Sequence, residues 1–359
     1  MTTRLLAGLA ALALITVGAT APPEPAGATA PSEPAGATAR SEPAGATAPA
    51  RFTLPAPTGP YEVGTAALHL VDASRADPWV PTDRSRDLIV QLWYPTSHAR
   101  GYPAAPWLTP AAARAYERSN QLPTFRWPIT AGHRGAPVAP APHGWPVLLY
   151  SHGLGGHRGE ATALVQGLAG EGYLVVTIDH VHDARVVEMP DGHVETSALP
   201  ELTPANELAV TTRAIEARVA DTRFVLDQLA ALDRGIVPGG VALPRGLRGA
   251  FDERAIGMLG HSDGGATTAA AMRADRRIAA GVNLDGTLWT AAAQQGSDRP
   301  MLLFGRAGHD RTTDPTWARF WARQRGPKLQ LNLAGSGHGA HLQHRPERLP
   351  NYPEVTALR

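Results

Sequence analysis

The 359-residue chain contains no cysteine. That absence excludes a disulfide framework, a thiol nucleophile, a zinc-thiolate site and a lipid-modified N-terminal cysteine together. Stability must therefore come from a packed core. Lysine is nearly missing as well, with Lys328 alone, and 33 basic residues against 32 acidic ones leave a net charge of +1. Such a balance steers nothing toward nucleic acid. The apolar run from Leu5 to Gly18 is about fourteen residues, short of the roughly twenty that a membrane-spanning helix requires. No sustained basic or amphipathic stripe follows it, so stable membrane insertion is not expected. Oligomeric state leaves no readable signal.

What is present at the N-terminus has the form of an export signal. Arg4 closes a short positive segment, Leu5 to Gly18 is apolar, and Ala19-Thr20-Ala21 has the A-x-A form of a signal-peptidase site. Residues 1–21 are read as a signal peptide and the mature protein as secreted. A nonapeptide then occurs three times, as Pro23 to Pro31, Ser32 to Arg40 and Ser41 to Pro49. With no large apolar side chain it cannot bury enough surface to offset chain entropy, so residues 22–50 are expected to form a disordered Pro/Ala-rich linker. Each copy repeats Ala-Thr-Ala, which offers further cleavage positions. Residues 51–359 are left as one catalytic domain.

Within that domain, apolar runs bounded by turns alternate with helical patterns, which argues for parallel strands joined by helices. Residues 66–71 and 87–94 read as opening antiparallel strands. Residues 147–150, 174–178, 255–259, 279–284, 301–304 and 329–333 read as a parallel core, with helices over 161–169, 207–231 and 317–324. The stretch 97–144 is rich in Pro and Ala and carries Trp107, Tyr116, Phe125 and Trp127, either as a pocket wall or as surface packing. Residues 186–188 and 193–195 flank Pro190-Asp191-Gly192, a hairpin signal. The Gly/Pro-rich loop 235–249 carries no legible chemistry.

Ser262 is the centre of the chemistry. It lies in Gly260-His261-Ser262-Asp263-Gly264, between an apolar strand and a run of small residues suited to a helix. A G-x-S-x-G in that context is a nucleophile elbow, where a tight turn lifts the hydroxyl out of the sheet. The glycines leave room where a Cβ would strike the neighbouring strand or helix. The expected class is α/β, with the α/β-hydrolase fold: a mostly parallel central sheet flanked by helices, with antiparallel opening strands.

An acyl-transfer serine needs a base, an acid that orients the base, and donors for the oxyanion. His338 follows the last strand through Ala334-Gly335-Ser336-Gly337 and is the expected base; His341 and His344 lie nearby. Without cysteines or carboxylates at matching spacing, those three histidines do not make a metal site, and no metal or other cofactor is expected. Two aspartates end strands in the order Ser, Asp, His, namely Asp285 and Asp310, and pattern alone does not separate them. One oxyanion donor is the N–H of Asp263, directly after the nucleophile. The other belongs to the glycine-rich turn Ser151-His152-Gly153-Leu154-Gly155-Gly156. His152 is read as a structural hydrogen bonder.

Six segments then fall in order across residues 59 to 341: Gly59-Pro60-Tyr61-Glu62-Val63-Gly64, Leu92-Trp93-Tyr94-Pro95, Ser151-His152-Gly153-Leu154-Gly155, Gly260-His261-Ser262-Asp263-Gly264-Gly265-Ala266-Thr267, Asn283-Leu284-Asp285-Gly286 and Gly335-Ser336-Gly337-His338. Together they resemble the plasma-type platelet-activating factor acetylhydrolase family in its secreted bacterial branch. The resemblance implies a calcium-independent serine hydrolase of carboxylic esters, including phospholipids with a short or oxidised sn-2 acyl chain. It favours Asp285 as the acid and places the second oxyanion donor on Leu154. The chain departs from the vertebrate members where Asp263 replaces an aromatic residue, and after His338, where their aromatics are missing.

The expected function is hydrolysis of a small or lipid ester through an acyl-enzyme. A non-enzymatic exported binding protein on the same fold, and a serine peptidase, are the alternatives. The sequence carries no propeller domain or peptide-docking segment that would favour the peptidase.

Overall fold

The computed structural model describes residues 54–124, 126–237 and 242–342. The signal and linker expected over residues 1–50, Phe125, His344 and part of the 235–249 loop lie outside the described residues. Among the described residues no helix is long and apolar enough to cross a membrane.

Twelve strands are described: β1 (Glu62–Asp72), β2 (Arg86–Thr96), β3 (Ala104–Pro106), β4 (Ile129–Arg134), β5 (Trp145–Ser151), β6 (Leu174–His180), β7 (Val186–Glu188), β8 (Val194–Thr196), β9 (Phe251–His261), β10 (Ile278–Leu284), β11 (Met301–Arg306) and β12 (Lys328–Leu333). Ten form one sheet in the order β12-β11-β10-β9-β5-β6-β2-β1-β4-β3. From β6 to β12 every pairing is parallel; β2 pairs antiparallel with both β1 and β6. This is the α/β-hydrolase architecture. β7 and β8 make the separate hairpin read from the turn at Pro190 to Gly192.

The helices are α1 (Pro110–Ser119), α2 (Thr162–Gly170), α3 (Glu207–Asp233), α4 (Asp263–Ala274) and α5 (Pro315–Arg323). α5 begins earlier than the apolar pattern signals, because Pro315 takes its first turn and the Asp314 carboxylate caps the N–H groups of Thr316 and Trp317. The 97–144 stretch is more than a wall. Its β4 pairs in parallel with β1 and its β3 joins β4, which extends the sheet at that edge.

Period-2 alternation sorts the parallel strands into two cores. Val147 and Leu149 of β5, Leu174 and Val176 of β6, and Met301 and Leu303 of β11 face the core that includes side chains of α3, α4 and α5. Tyr150, Val175, Leu302 and Phe304 face the core that includes Leu164, Val165 and Leu168 of α2. Leu149 has no exposed surface; truncation of such a residue to Ala costs about 2–5 kcal/mol.

The chain passes from β5 to β6 on one side and later returns to β9 on the other. Loops leaving the carboxyl ends of β5 and β9 thus separate at a switch point, where open α/β sheets place their sites. Register sets Ser151 opposite Gly260 and His261 opposite Leu284. The loops carrying Leu154, Ser262 and Asp285 therefore emerge side by side.

Candidate active site

Ser262 sits between β9 and α4 with φ 55° and ψ −123°, in a region that non-glycine residues rarely occupy. Close packing holds it there. A Cβ on Gly264 would stand 2.0 Å from the Ser151 carbonyl oxygen, and one on Gly260 would stand 2.2 Å from the Gly264 carbonyl. The Ser262 N–H donates to the Leu284 carbonyl at 2.9 Å, which ties the elbow to the end of β10.

Asp285 follows β10, also with positive φ, at 60°. The Asn283 side chain makes this turn: its amide donates to the Gly286 carbonyl at 2.7 Å and its oxygen accepts the Gly286 N–H at 2.6 Å. His338 enters from the loop after β12, and its carbonyl accepts a 2.8 Å hydrogen bond from His261 Nε2.

These three loops bring Ser262, His338 and Asp285 together. His338 Nε2 accepts from the Ser262 hydroxyl at 3.1 Å, and His338 Nδ1 donates to Asp285 Oδ2 at 2.5 Å. Asp310 is not part of this chain of bonds. It stands half-buried in the loop after β11, where its Oδ1 accepts from the Thr312 and Thr313 N–H groups. His341, buried beside Phe304 and His261, is lowered to about 4 by burial, which leaves it neutral. Among the described residues no group of three or more His, Asp or Glu is arranged to hold a metal ion.

Asp285 has partners that sequence reasoning missed. Its Oδ1 accepts from the Arg306 N–H at 2.9 Å and faces His309 Nδ1 at 2.6 Å, while Arg306 Nη1 donates to Oδ2 at 2.9 Å. Burial pushes the carboxyl up, but the bonds from His309, His338 and Arg306 outweigh it and hold Asp285 far below the usual carboxylate range. His309 also faces Asp314 Oδ2 at 3.0 Å. Burial disfavours its charge, yet the two carboxylates raise it to about 9. The one sequence signal for His309 was its place beside Asp310, at a strand end where an acid was sought.

The turn after β5 is set by a second residue that composition did not flag. Arg218 of α3, wholly buried, donates from Nη1 to the His152 carbonyl at 2.6 Å and from Nη2 to the Gly153 carbonyl at 3.1 Å, and it pairs with both oxygens of Asp183 at 2.7 Å. With those carbonyls drawn toward Arg218, the Leu154 N–H is left without a hydrogen-bond partner among the described residues. The Asp263 N–H opens α4 and has no acceptor inside the helix. His152 is fully buried, with Nδ1 donating to the Gly153 carbonyl at 2.7 Å.

Leu154, Ser262, Asp263, Asp285 and His338 all line one cleft of about 750 Å³, with Trp289 and Arg306. A smaller pocket of about 90 Å³ also reaches Ser262, between the 153–156 turn and Tyr116, Asn120 and Arg185. Tyr116 thus walls the site, while Trp107 and Trp127 stack on each other behind it. The Asp263 carboxyl is buried; its Oδ1 accepts from Trp289 Nε1 at 3.1 Å and its Oδ2 has no hydrogen-bond partner among the described residues. Burial lifts it to about 6 against the opposing pull of Arg218.

Fold and site define an α/β-hydrolase with serine, histidine and aspartate in hydrogen-bond sequence at the mouth of a cleft. The profile of the family described as platelet-activating factor acetylhydrolase, isoform II, matches residues 46–341, and the chain belongs to that family. It is 31% identical over 294 residues to a probable 1-alkyl-2-acetylglycerophosphocholine esterase of Arthroderma benhamiae, covering 76% of this chain and 70% of that protein. The dog platelet-activating factor acetylhydrolase is 29% identical over 156 residues, which span 39% of this chain and 35% of the relative. Among solved structures, a ferulic acid esterase from Streptomyces cinnamoneus superposes with a TM-score of 0.69 at 34% identity, over 85% of each chain. The chain is an esterase of platelet-activating factor acetylhydrolase type.

Proposed function

We propose that the protein is a secreted serine esterase that cleaves carboxylic esters through a covalent acyl-enzyme. The observation that carries this reading is the continuous chain from the Ser262 hydroxyl through His338 to Asp285, opening on the cleft. Ser262 Oγ attacks the ester carbonyl carbon as His338 Nε2 takes its proton. The oxyanion is held by the N–H groups of Leu154 and Asp263, and the alkoxide leaves with the proton returned by His338. Water then attacks the acyl-Ser262 ester by the same route and releases the acid. Asp285 keeps the imidazole in the tautomer whose Nε2 accepts, and stabilises the imidazolium that forms.

The family resemblance supports phospholipids with a short or oxidised sn-2 acyl chain as the substrate class, beside other lipid or short-chain esters. The names of the relatives also bring in an alkylacetylglycerophosphocholine and a ferulic acid ester. Residues 1–21 serve as the export signal and residues 22–50 as a linker to the catalytic domain over 51–359. Fluorophosphonate labelling followed by peptide mass spectrometry tests the nucleophile, and a single adduct on the Ser262 peptide is expected. An adduct elsewhere, or full activity in Ser262→Ala, sinks the assignment. An ester panel graded by acyl length, with a phospholipid arm, tests the substrate class. N-terminal sequencing of protein recovered from the medium tests export.

A further inference from the structure

Asp285 carries two histidines. His338 occupies one oxygen and His309 the other, and His309 continues to Asp314, the cap of α5. Both ring nitrogens of His309 therefore face carboxylate oxygens, at 2.6 and 3.0 Å. A neutral imidazole has one N–H and would turn the lone pair of its other nitrogen against an acceptor. Only the imidazolium donates at both ends. The two carboxylates are themselves held ionised. Asp285 accepts from Arg306, and Asp314 accepts from Thr287, Thr316 and the Trp317 N–H. The indole of Trp317 covers the ring, with centroids 4.4 Å apart and planes 33° from parallel, a surface that favours a cation.

We propose that His309 is an imidazolium at neutral pH and a positioning residue: it holds Asp285 from behind, offsets part of its charge, and so tempers the pull of Asp285 on the His338 ring. This rests on the roles given above to Ser262, Asp285 and His338 and adds to them.

Other charged and titratable groups face this pair. Arg306 of β11 also touches Asp285, but its side chain is 39% exposed, whereas that of His309 is 8% exposed. Water screens the first charge more than the second. Asp310 adjoins His309 from its own loop and points to solvent. Around His338 stand His261 at the end of β9, Asp263 of α4 and the neutral His341 of its own turn. Against Asp285, the buried cation that balances its charge is therefore His309.

His309→Gln tests the idea, because it keeps an amide donor near Asp285 and removes the charge. The rate profile of kcat/KM against pH is measured with a soluble short-chain ester, alongside ¹⁵N NMR of histidine rings in the full chain. The acid limb should move upward by about one pH unit, a roughly tenfold loss well below the limb. At about pH 7.5 the intact protein should show, beside any signal from His182, whose ring nitrogens face Asp77 and Glu195, a buried histidine protonated on both nitrogens that is absent from the variant. A purely structural role lowers the plateau and thermal stability without moving the limb, and that result overturns the proposal. So does a neutral His309 in the NMR spectrum, which decides the matter alone where the variant does not fold. Activity in Ser262→Ala instead points to failure of the catalytic reading, and leaves the ring protonation of His309 to be read independently.

Discussion

Asp285 Oδ2 accepts a 2.5 Å hydrogen bond from His338 Nδ1. Asp285 comes from the loop after β10 and His338 from the loop after β12, with β11 lying between the two strands. The carboxylate and the imidazole thus meet across a strand whose own end supplies Arg306 and His309, the groups that hold the carboxylate from behind.

The first prediction separates the two aspartates. Asp285→Asn should keep the fold and lower kcat by about 10⁴, the loss that the same change brings in serine proteases, because the amide favours the wrong imidazole tautomer. Asp310→Asn should change kcat little, since that side chain serves a solvent-facing turn. Both variants need matching thermal unfolding curves before kinetics are compared. An inactive Asp310→Asn beside an active Asp285→Asn would reverse the assignment.

Arg218 gives a second. Arg218→Met strands the Asp183 carboxylate in a dry interior and should cost about 3–5 kcal/mol, the range for breaking a buried pair. It also frees the His152 and Gly153 carbonyls, so kcat should fall by about 10² to 10³, as for loss of one oxyanion donor. In the double variant Arg218→Met with Asp183→Asn, stability should recover while kcat does not. Recovery of both would show that Arg218 has no hold on the turn.

A third prediction concerns pH and Asp263. Its carboxyl lies at about 6 in the folded chain against an ordinary 3.8, so between those values the folded chain keeps a proton that the unfolded chain has released. Stability from this group falls as pH rises from about 4 through about 6 and stays low above it. Asp263→Asn should therefore stabilise at pH 8 by roughly 2–3 kcal/mol, two pH units at about 1.4 kcal/mol each, and by little near pH 4. Urea midpoints at the two pH values check this. An equal gain at both would mean that charge is not the cause.

The elbow supplies a fourth. Gly264→Ala puts a methyl group against the Ser151 carbonyl and should destabilise by about 1–3 kcal/mol or more, with a loss of kcat as Ser262 shifts. Gly167→Ala in α2 meets open space and should instead stabilise by up to about 1 kcal/mol. Thermal unfolding and burst kinetics on both variants test the contrast.

Much of the parallel sheet was legible because each strand is a short apolar run closed by turn residues, and such signals are local. The elbow was legible for the same reason: Gly260 and Gly264 flank the serine within five residues. β3 and β4 were not, since 104–106 and 129–134 lack a strong alternating pattern and take their place by pairing with β1, far away in the chain.

By itself the sequence determined the nucleophile's setting, the order of serine, aspartate and histidine, and the family, since all three reside in contiguous motifs. Strand-end pattern left Asp285 and Asp310 with equal local credentials and only the family resemblance favoured Asp285; which aspartate faces His338 is shown by the tertiary structure. Strand register and a left-handed turn at Asp285 turn one toward the imidazole and leave the other at the surface. His309 and Arg218 were likewise invisible in one dimension. Their partners, Asp285, Asp314, Asp183 and the carbonyls at 152 and 153, gather around them only when the sheet brings distant loops to one edge, where burial makes each charge seek its counterpart.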